Sequence, residues 1–375
     1  MPTYTTVTPP TTTPPIMIYD KSTTDFSSNG IHCLYPTTAE VEMELNKAPT
    51  LRMEHPIDER GVWKDIKLSS IICVPIRYRD QMRYQPFRIF AITKSRQSNS
   101  MSITIDARHI FYDLNYDLVQ HVDLGLTSVS CENALDAAFE NVYRPAGSTD
   151  RIASDNFSYS SSISSVLNVQ FDNISLTQAI DKIMQQSTQA TIIGAAELYV
   201  DGFYFSIEHR MEGALDDAFN IAVGVNLSGI SATYSNDNRA NGMYIEGASA
   251  YISNPIEPVN KESLELAYDK VVSTSLSIPE FVYSAAQKQR YILEFVAKMR
   301  AVEASFDVSI VDIPNLDEYK DIKNLATLEV GDTGTITDTQ LEIQTTQKII
   351  KKKYDAVKHI TVSVGLGDAK SSILY

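Results

Sequence analysis

A regular alternation of inward and outward positions, which predicts a pair of strands, is clearest between residues 86 and 107. The apolar positions that share one face of this pair are Phe87, Ile89, Ala91, Ile103, Ile105 and Ala107. A period of two residues is typical of strands with one buried face. Residues 108–114 then carry apolar and aromatic side chains too densely for a solvated loop and too irregularly for a strand. We therefore predict a hairpin that runs into a buried strand-to-helix corner.

Helical spacing becomes prominent only after this corner. Ser130 is placed to cap a first helix, and Ser175, with Gln178 three positions later, forms the capping box of a second. Asp201-Gly202 predicts a tight turn between a strand in residues 191–200 and a strand in residues 203–209. Apolar residues at helical spacing return further along, and strands follow them to the end of the chain.

The order of these patterns predicts an α+β, β-rich fold with several units, as expected for 375 residues. The predicted units are an extended Thr/Pro arm at 1–15, a first small β-barrel at 16–117, an inserted α/β domain at 118–222, strands at 223–260 that return to the first barrel, a helical segment at 261–302 and a second small β-barrel at 303–375.

The corner also contains candidate catalytic chemistry. His109 and Asp113 are four residues apart, so a helix would place them on one face. The structural alternative is a buried histidine that hydrogen-bonds the backbone and fixes a turn. We favour this alternative because His109 is flanked by Ile110 and Phe111, and because no serine, cysteine or second metal ligand stands nearby at a useful spacing.

Other constellations give no support for catalysis or metal binding. The six histidines include neither H-x-H nor H-E-x-x-H, and there is no G-x-S-x-G. We attribute two acidic pairs, Asp216 with Asp217 and Asp312 with Asp317, to chance in an acidic chain. Asp332 and Asp338 could hold calcium, but the ligand pattern of a calcium loop is absent. The isolated cysteines Cys33, Cys73 and Cys131 are predicted to be buried free thiols. We expect no catalytic, cofactor or metal site.

Charge argues against a nucleic-acid-binding surface. The formal net charge is -15, and binding to phosphates requires clustered Lys and Arg. The basic run at Lys348 and residues 351–353 is interpreted as a solvated strand end, because lysines commonly protect exposed edges. The amino terminus lacks the features of a signal peptide, and no stretch is apolar and long enough to cross a bilayer.

Residues 103–118, ITIDARHIFYDLNYDL, resemble the A-x-H-I-x-Y-D-L signature in the amino-terminal module of siphophage tail-tip proteins, the family of tail-associated lysins or prophage endopeptidase tails. The motif positions in this sequence, to which we assign structural roles, are His109, Ile110, Tyr112, Asp113 and Leu114. Residues 44–76 resemble the family's preceding strand, turn and Gly-x-Trp, with His55 in place of the aromatic residue before proline. LEVGDTGTI at 328–336 and VSVGLGDAK at 362–370 resemble the module's last strands.

The resemblance implies a structural protein of the virion, closest to the baseplate hub of lactococcal siphophages. Such hubs are homotrimers in which two barrels per subunit alternate around a ring, mate with a hexameric distal tail protein, and open for DNA ejection on host binding. The tape-measure protein and receptor-binding proteins are further expected partners, while DNA passes without specific binding and no membrane insertion is expected.

Two other functions remain open at this stage. The family name points to a peptidoglycan hydrolase or endopeptidase, but lytic activity in longer members resembles a property of a carboxyl-terminal extension. Here the last module strand lies just before Tyr375, so the hub without enzymatic activity is expected. A binder of a host receptor or saccharide is suggested only by the Tyr- and Asn-rich loop at 234–244.

Overall fold

A computed structural model describes residues 14–79, 81–97, 100–125, 129–145, 151–167, 169–189, 192–222, 227–235, 242–246, 273–277, 303–310 and 327–367. Most elements in these ranges are strands, so the prediction of a β-rich chain is confirmed. The predicted arm at 1–15 falls almost entirely outside the described residues.

Seven antiparallel strands form a first β unit. They are β1 (Ile16–Tyr19), β2 (His32–Leu34), β3 (Thr38–Glu44), β4 (Thr50–Pro56), β5 (Ile71–Tyr78), β6 (Gln81–Gln97) and β7 (Ser100–His109), in the spatial order β3-β4-β7-β6-β5-β1-β2. The β6–β7 pair is the predicted hairpin. A β-bulge between Ile89 and Ala91 reverses the alternation, so Ile92, and not Ala91 as predicted, packs against the core.

An α/β unit follows the corner. Its elements are β8 (Leu118–Val119), β9 (Val122–Asp123), α1 (Cys131–Glu140), β10 (Ser158–Ser160), β11 (Gln170–Phe171), β12 (Ile174–Ser175), α2 (Leu176–Gln186), β13 (Thr188–Gln189), β14 (Ile192–Ile193), β15 (Glu197–Asp201) and β16 (Tyr204–Glu208). Ser130 caps α1, and Ser175 and Gln178 form the predicted capping box of α2. The β15–β16 hairpin is confirmed, but its turn residues are Gly202-Phe203, one position later than predicted.

The remaining strands build a second β unit and a separate two-stranded sheet. The strands of the second β unit are β17 (Phe219–Ala222), β18 (Leu227–Ser235), β21 (Glu303–Ile310), β22 (Thr333–Asp338), β23 (Ile343–Asp355) and β24 (Ile360–Gly367). The separate sheet consists of β19 (Gly242–Glu246) and β20 (Ser273–Ser277), which pair with each other in parallel. Apart from β20, the predicted helical segment at 261–302 lies outside the described residues.

The prediction that residues 223–260 return to the first barrel is wrong for β18. This strand pairs with β21, and its Ile230 and Ala232 pack against the hydrophobic cluster that contains Phe306. β17, which we had placed in the inserted domain, also belongs here, because it pairs in parallel with β22 and buries Phe219 and Ile221 in the same cluster. Both strands pair in the second β unit because the hydrophobic cluster there covers their apolar faces.

One sheet runs through both β units. β23 pairs with β24 on one side and with β3 on the other, so the second unit is hydrogen-bonded directly to the first. We call this β23–β3 junction the seam. Each unit keeps its own hydrophobic cluster, one around Phe87 and Ile105 and one around Phe306 and Ile336.

Candidate functional site

The corner after β7 is a 3₁₀ helix at Ile110–Tyr116, and His109 caps it. Nδ1 of His109 accepts a hydrogen bond of 3.1 Å from the backbone N–H of Phe111. A side chain that accepts from a backbone donor near the helix start supplies one of the partners that the first turn lacks. This is the geometry expected of a histidine that hydrogen-bonds the backbone and fixes a turn.

The second ring nitrogen of His109 faces Gln85. Because Nδ1 accepts, the ring proton lies on Nε2, which donates to Oε1 of Gln85 at 3.1 Å. His109 is fully buried, and burial lowers its pKa to about 3. A general acid–base group works best with a pKa near the working pH, so His109 is poorly suited to that role at neutral pH.

Gln85 extends this network from the first β unit into the α/β unit. Its amide nitrogen donates to Oδ1 of Asp201 at 2.6 Å, and its amide oxygen accepts from the N–H of Gly202 at 3.1 Å. Arg83 adds an ion pair to Asp201 at 3.0 Å. The capping histidine, one β6 glutamine and the β15–β16 turn thus form one hydrogen-bonded chain.

Asp113 has a different partner from His109. Its carboxylate accepts three hydrogen bonds of 2.7 to 2.9 Å from the guanidinium of Arg88. The same guanidinium donates to the carbonyls of Lys21 and Ser69, both at 2.9 Å. Arg88 therefore joins three segments of the chain, and Asp113 holds the corner to the first β unit instead of orienting His109 for catalysis.

The other motif positions anchor the corner in two cores. Ile110 packs with Tyr19, Ile71 and Cys73 beside the first β unit. Phe111 and Leu114 are buried in the core of the α/β unit. The structure thus places apolar side chains of one short helix on both sides of the boundary between these units.

Tyr112 fixes the remaining side of the corner, because its hydroxyl donates to the carbonyl of Ala48 at 3.1 Å.

A second cluster of charges lies at the seam, and sequence reasoning missed it. Nζ of Lys352 is 2.9 Å from Oε1 of Glu329, with the lysine side chain 0% exposed and the glutamate 6%. Arg79, in the turn after β5, forms two hydrogen bonds of 2.6 Å to Asp332 and donates its backbone N–H to Glu329 at 3.1 Å. Burial raises the pKa of Glu329, and Lys352 and Arg79 act against this rise.

Our interpretation of the basic run as a solvated strand end is wrong. β23 has neighbours on both sides, and its lysines pair with two carboxylates on β3, one on β15 and one in the loop before β22. The pairs are Lys348 with Glu197, Lys351 with Glu42, Lys352 with Glu329, and Lys353 with Glu40. The only sequence signal for this arrangement was the alternation of glutamates in β3, which faces β23.

Two of the remaining candidate carboxylates also have structural partners. Asp216 binds Arg210 and Thr333, and Asp338 accepts from the backbone N–H groups of Gln340 and Leu341. Cys73 and Cys131 are buried free thiols as predicted, whereas Cys33 is half-buried. Asp312 and Asp317 lie outside the described residues.

Two kinds of feature are absent from the described residues. These residues contain no group of three or more His, Cys, Asp or Glu side chains placed to hold a metal ion. Neither of their α-helices has the length and apolar character needed to span a bilayer.

The fold is similar to that of prophage tail proteins. No protein-family model matches the chain, and no curated protein matches its sequence. A prophage tail protein from Listeria monocytogenes has a TM-score of 0.61 at 15% identity, with 96% of each chain covered. A tail protein from Neisseria meningitidis gives 0.58 at 8% identity, over 94% of this chain and 96% of that one.

A 43 kDa prophage tail protein from Shewanella oneidensis gives a TM-score of 0.58 at 10% identity, over 95% of this chain and 96% of that one. At such identities the likeness shows the fold alone, and it extends over nearly the whole length of all three proteins. The chain therefore has the fold of phage tail proteins, which confirms at the level of fold the resemblance read from the corner motif.

Proposed function

We propose that this protein is a structural subunit of a siphophage tail tip, a homotrimeric hub that closes the distal end of the tail tube and opens for DNA ejection on host binding. The observation that carries the proposal is the shared fold with three tail proteins, two of them from prophages, over 94–96% of this chain. The corner motif adds the resemblance to the hub of lactococcal siphophages.

In this proposal the two β units act as the two small barrels that alternate around a ring. Three subunits then present six similar β units to a hexameric distal tail protein. The tape-measure protein and receptor-binding proteins are further partners, and the protein resides at the distal end of the tail in the virion. The continuous sheet across the seam supports this role, because it fixes one β unit relative to the other.

Bonds made by the candidate catalytic residues support a structural role over an enzymatic one. His109 caps a helix and is held neutral by burial, while Asp113 is bound to Arg88. On peptidoglycan zymograms we expect no clearing by the purified protein beside a lysozyme control. Clearing that disappears in His109→Ala or Asp113→Ala would contradict the structural role.

Imaging tests the proposed location most directly. Phage particles that carry this protein are labelled with an antibody against it and viewed by negative-stain electron microscopy. We expect label only at the tail tip, while an antibody against the tail-tube protein marks the shaft. Label on the shaft or the head would overturn the proposal.

Light scattering tests the proposed stoichiometry. The protein is measured alone and together with its distal tail protein, and we expect three copies per ring in the complex. A monomer alone is compatible with the proposal, because ring closure can depend on the partner. A stable monomer in the presence of the partner would contradict it.

A further inference from the structure

An exposed groove lies beside the corner, between the first β unit and the 3₁₀ helix. It has a volume of about 390 Å³, and its walls include Leu68, Phe90, Arg108, Tyr112 and Tyr116. Leu68, Phe90 and Tyr116 are 61%, 50% and 83% exposed. Grouped apolar side chains on a surface mark sites of interaction with another chain or ligand. We therefore expect this groove to bind a partner.

Two aromatic rings of the groove, those of Phe90 and Tyr112, are held in place. The β-bulge between Ile89 and Ala91 lies at Phe90, where the inward–outward alternation breaks and the ring is left half exposed. The guanidinium of Arg108 stands 4.4 Å from the centre of the Phe90 ring and 5.9 Å from that of Tyr112. Tyr112 is itself fixed by its hydrogen bond to Ala48. Phe90, Arg108 and Tyr112 thus form a preorganised shelf.

Such a shelf suits a polyproline II segment. Proline-rich segments dock in aromatic-lined grooves, because their preformed helix loses little entropy and its carbonyls lack internal hydrogen bonds. The chain contains such a segment, MPTYTTVTPPTTTPP at residues 1–15, with proline pairs at Pro9-Pro10 and Pro14-Pro15. Its side chains carry no charge, which fits a groove in which Arg88 is neutralised by Asp113.

The direction of β1 decides which copy supplies the segment. Tyr19 at the end of β1 pairs with Ile71, and Ile71 pairs with Arg88, which lines the groove. The arm leaves from Ile16, at the other end of the strand, and so starts away from the groove. To reach the groove, the arm of the same chain would have to turn back along β1. We propose that the groove binds the amino-terminal arm, residues 1–13, of a second copy of this chain.

Binding of a peptide tests the chemistry of the groove. A fluorescent peptide of residues 1–15 is titrated with the intact protein, at a dilution where light scattering gives a monomer, and followed by anisotropy. We expect saturable binding, at least tenfold weaker in Phe90→Ala and in Tyr116→Ala. No binding to the wild-type protein, or equal binding to these variants, would overturn the inference.

Two controls accompany the titration. Tyr143→Ala removes another exposed tyrosine, 49% exposed and outside the groove, and should bind the peptide as the wild type does. A peptide with Pro9→Ser and Pro10→Ser should lose at least tenfold in affinity. Equal loss in Tyr143→Ala, or full binding of the serine peptide, would show that recognition is not of the proposed kind.

Cross-linking tests which copy supplies the arm, and it depends on the proposed trimer for the second copy. A photoreactive phenylalanine derivative replaces Tyr116, and ordinary and nitrogen-15-labelled chains are mixed and assembled with the distal tail protein. Cross-links from position 116 to residues 1–13 of the other isotope support the inference. Cross-links within one chain, or to other segments, overturn it.

Light scattering on the same samples separates the two proposals. Trimers without the cross-link refute the arm contact and leave the hub intact. Monomers in the presence of the distal tail protein refute both.

Discussion

Nζ of Lys352 and Oε1 of Glu329 lie 2.9 Å apart inside the seam, where neither side chain is more than 6% exposed. Removing two charges from water costs several kcal/mol for each ion, and their attraction offsets this cost only while both partners are present. Both residues belong to the second β unit, so the pair holds β23 against the loop before β22, and a shift of β23 that separated the two ions would leave each charge buried without the other.

Removal of Lys352 should strongly destabilise the protein. Lys352→Met leaves Glu329 buried without its ammonium partner, and the free energy of unfolding should fall by about 3–5 kcal/mol. The pKa of Glu329 is already raised by burial, and loss of the lysine raises it further. A carboxyl group with a raised pKa in the folded state makes the protein less stable as pH rises through that pKa. The difference in free energy of unfolding between the wild type and Lys352→Met, measured with urea, should therefore grow with pH.

The neighbouring lysine provides a matched control. Lys353 is on the same strand and pairs with Glu40, but the two side chains are 37% and 42% exposed. Lys353→Met should therefore cost about 0–1 kcal/mol. Similar losses in both variants would show that burial at the seam does not set the energy of these pairs.

His109 should make the protein less stable in mild acid. Its pKa is about 3 in the folded state and near 6.5 in the unfolded chain. Between these two pH values His109 is protonated in the unfolded state but not in the folded state. Its contribution to the free energy of unfolding is therefore complete above pH 6.5 and is lost as pH falls. Linkage gives a loss of about 2 kcal/mol between pH 7 and pH 5 from this residue alone, measurable by urea unfolding at each pH.

Replacement by asparagine isolates the histidine. His109→Asn should lower stability at pH 7, because the cap and the bond to Gln85 are weakened, yet it should lose about 2 kcal/mol less than the wild type between pH 7 and pH 5. His121→Asn, at an exposed histidine, should keep the wild-type slope. An unchanged slope in His109→Asn would rule out this residue as the acid-sensitive group.

Arg88 should not be replaceable by lysine. Its guanidinium donates to Asp113, Lys21 and Ser69 at once, and an ammonium cannot reproduce this planar arrangement. Because the pair is only partly exposed, Arg88→Lys should cost about 1.5–3 kcal/mol, the range for hydrogen bonds to charged groups. Limited proteolysis after Lys21 should also become faster, since the segment loses an anchor.

Arg52→Lys is the corresponding control in the same sheet. Arg52 contacts Asp106 at 3.5 Å with its side chain 71% exposed, so the substitution should change stability by less than about 0.5 kcal/mol. The rate of cleavage after Lys21 should stay at the wild-type value. Equal effects of the two substitutions would mean that the three-way contact of Arg88 contributes nothing beyond its charge.

Features that depend on neighbouring residues were predictable from the sequence. The caps at Ser130 and Ser175 and the β15–β16 hairpin are set within a few residues, and so is the role of His109 as a cap. The bulge at Phe90 was not predictable, because one extra residue in a strand leaves no signature in an alternation that already contains Phe90 and Ile92.

Pairings between distant parts of the chain were the main source of error. β18 joins β21, about 70 residues later, and Lys352 meets Glu329, which lies in the loop before β22. A local pattern states which face of a strand is apolar but not which partner covers it. For the same reason the run of lysines resembled a solvated edge strand. In the structure this strand, β23, lies inside a sheet because it pairs with β3, whose glutamates lie opposite the lysines.

Double-stranded DNA should pass this protein without measurable affinity at physiological salt. Each lysine of the basic run is paired with a carboxylate, and the formal net charge is -15. Phosphate binding gains affinity by releasing counterions at each free cation, so paired lysines contribute little. In a gel-shift assay at low micromolar protein we expect no shifted band, and tight binding would contradict the proposed conduit.

A double variant tests whether the ion pairs are the reason. Glu40→Gln with Glu42→Gln removes the partners of Lys353 and Lys351, both on the solvent-accessible face of the seam. These two ion pairs are then lost, so weak DNA binding should appear at low ionic strength, and log K should fall as log salt rises. If the double variant still shows no DNA binding at low ionic strength, the overall negative charge of the protein, and not the pairing of the lysines, prevents binding.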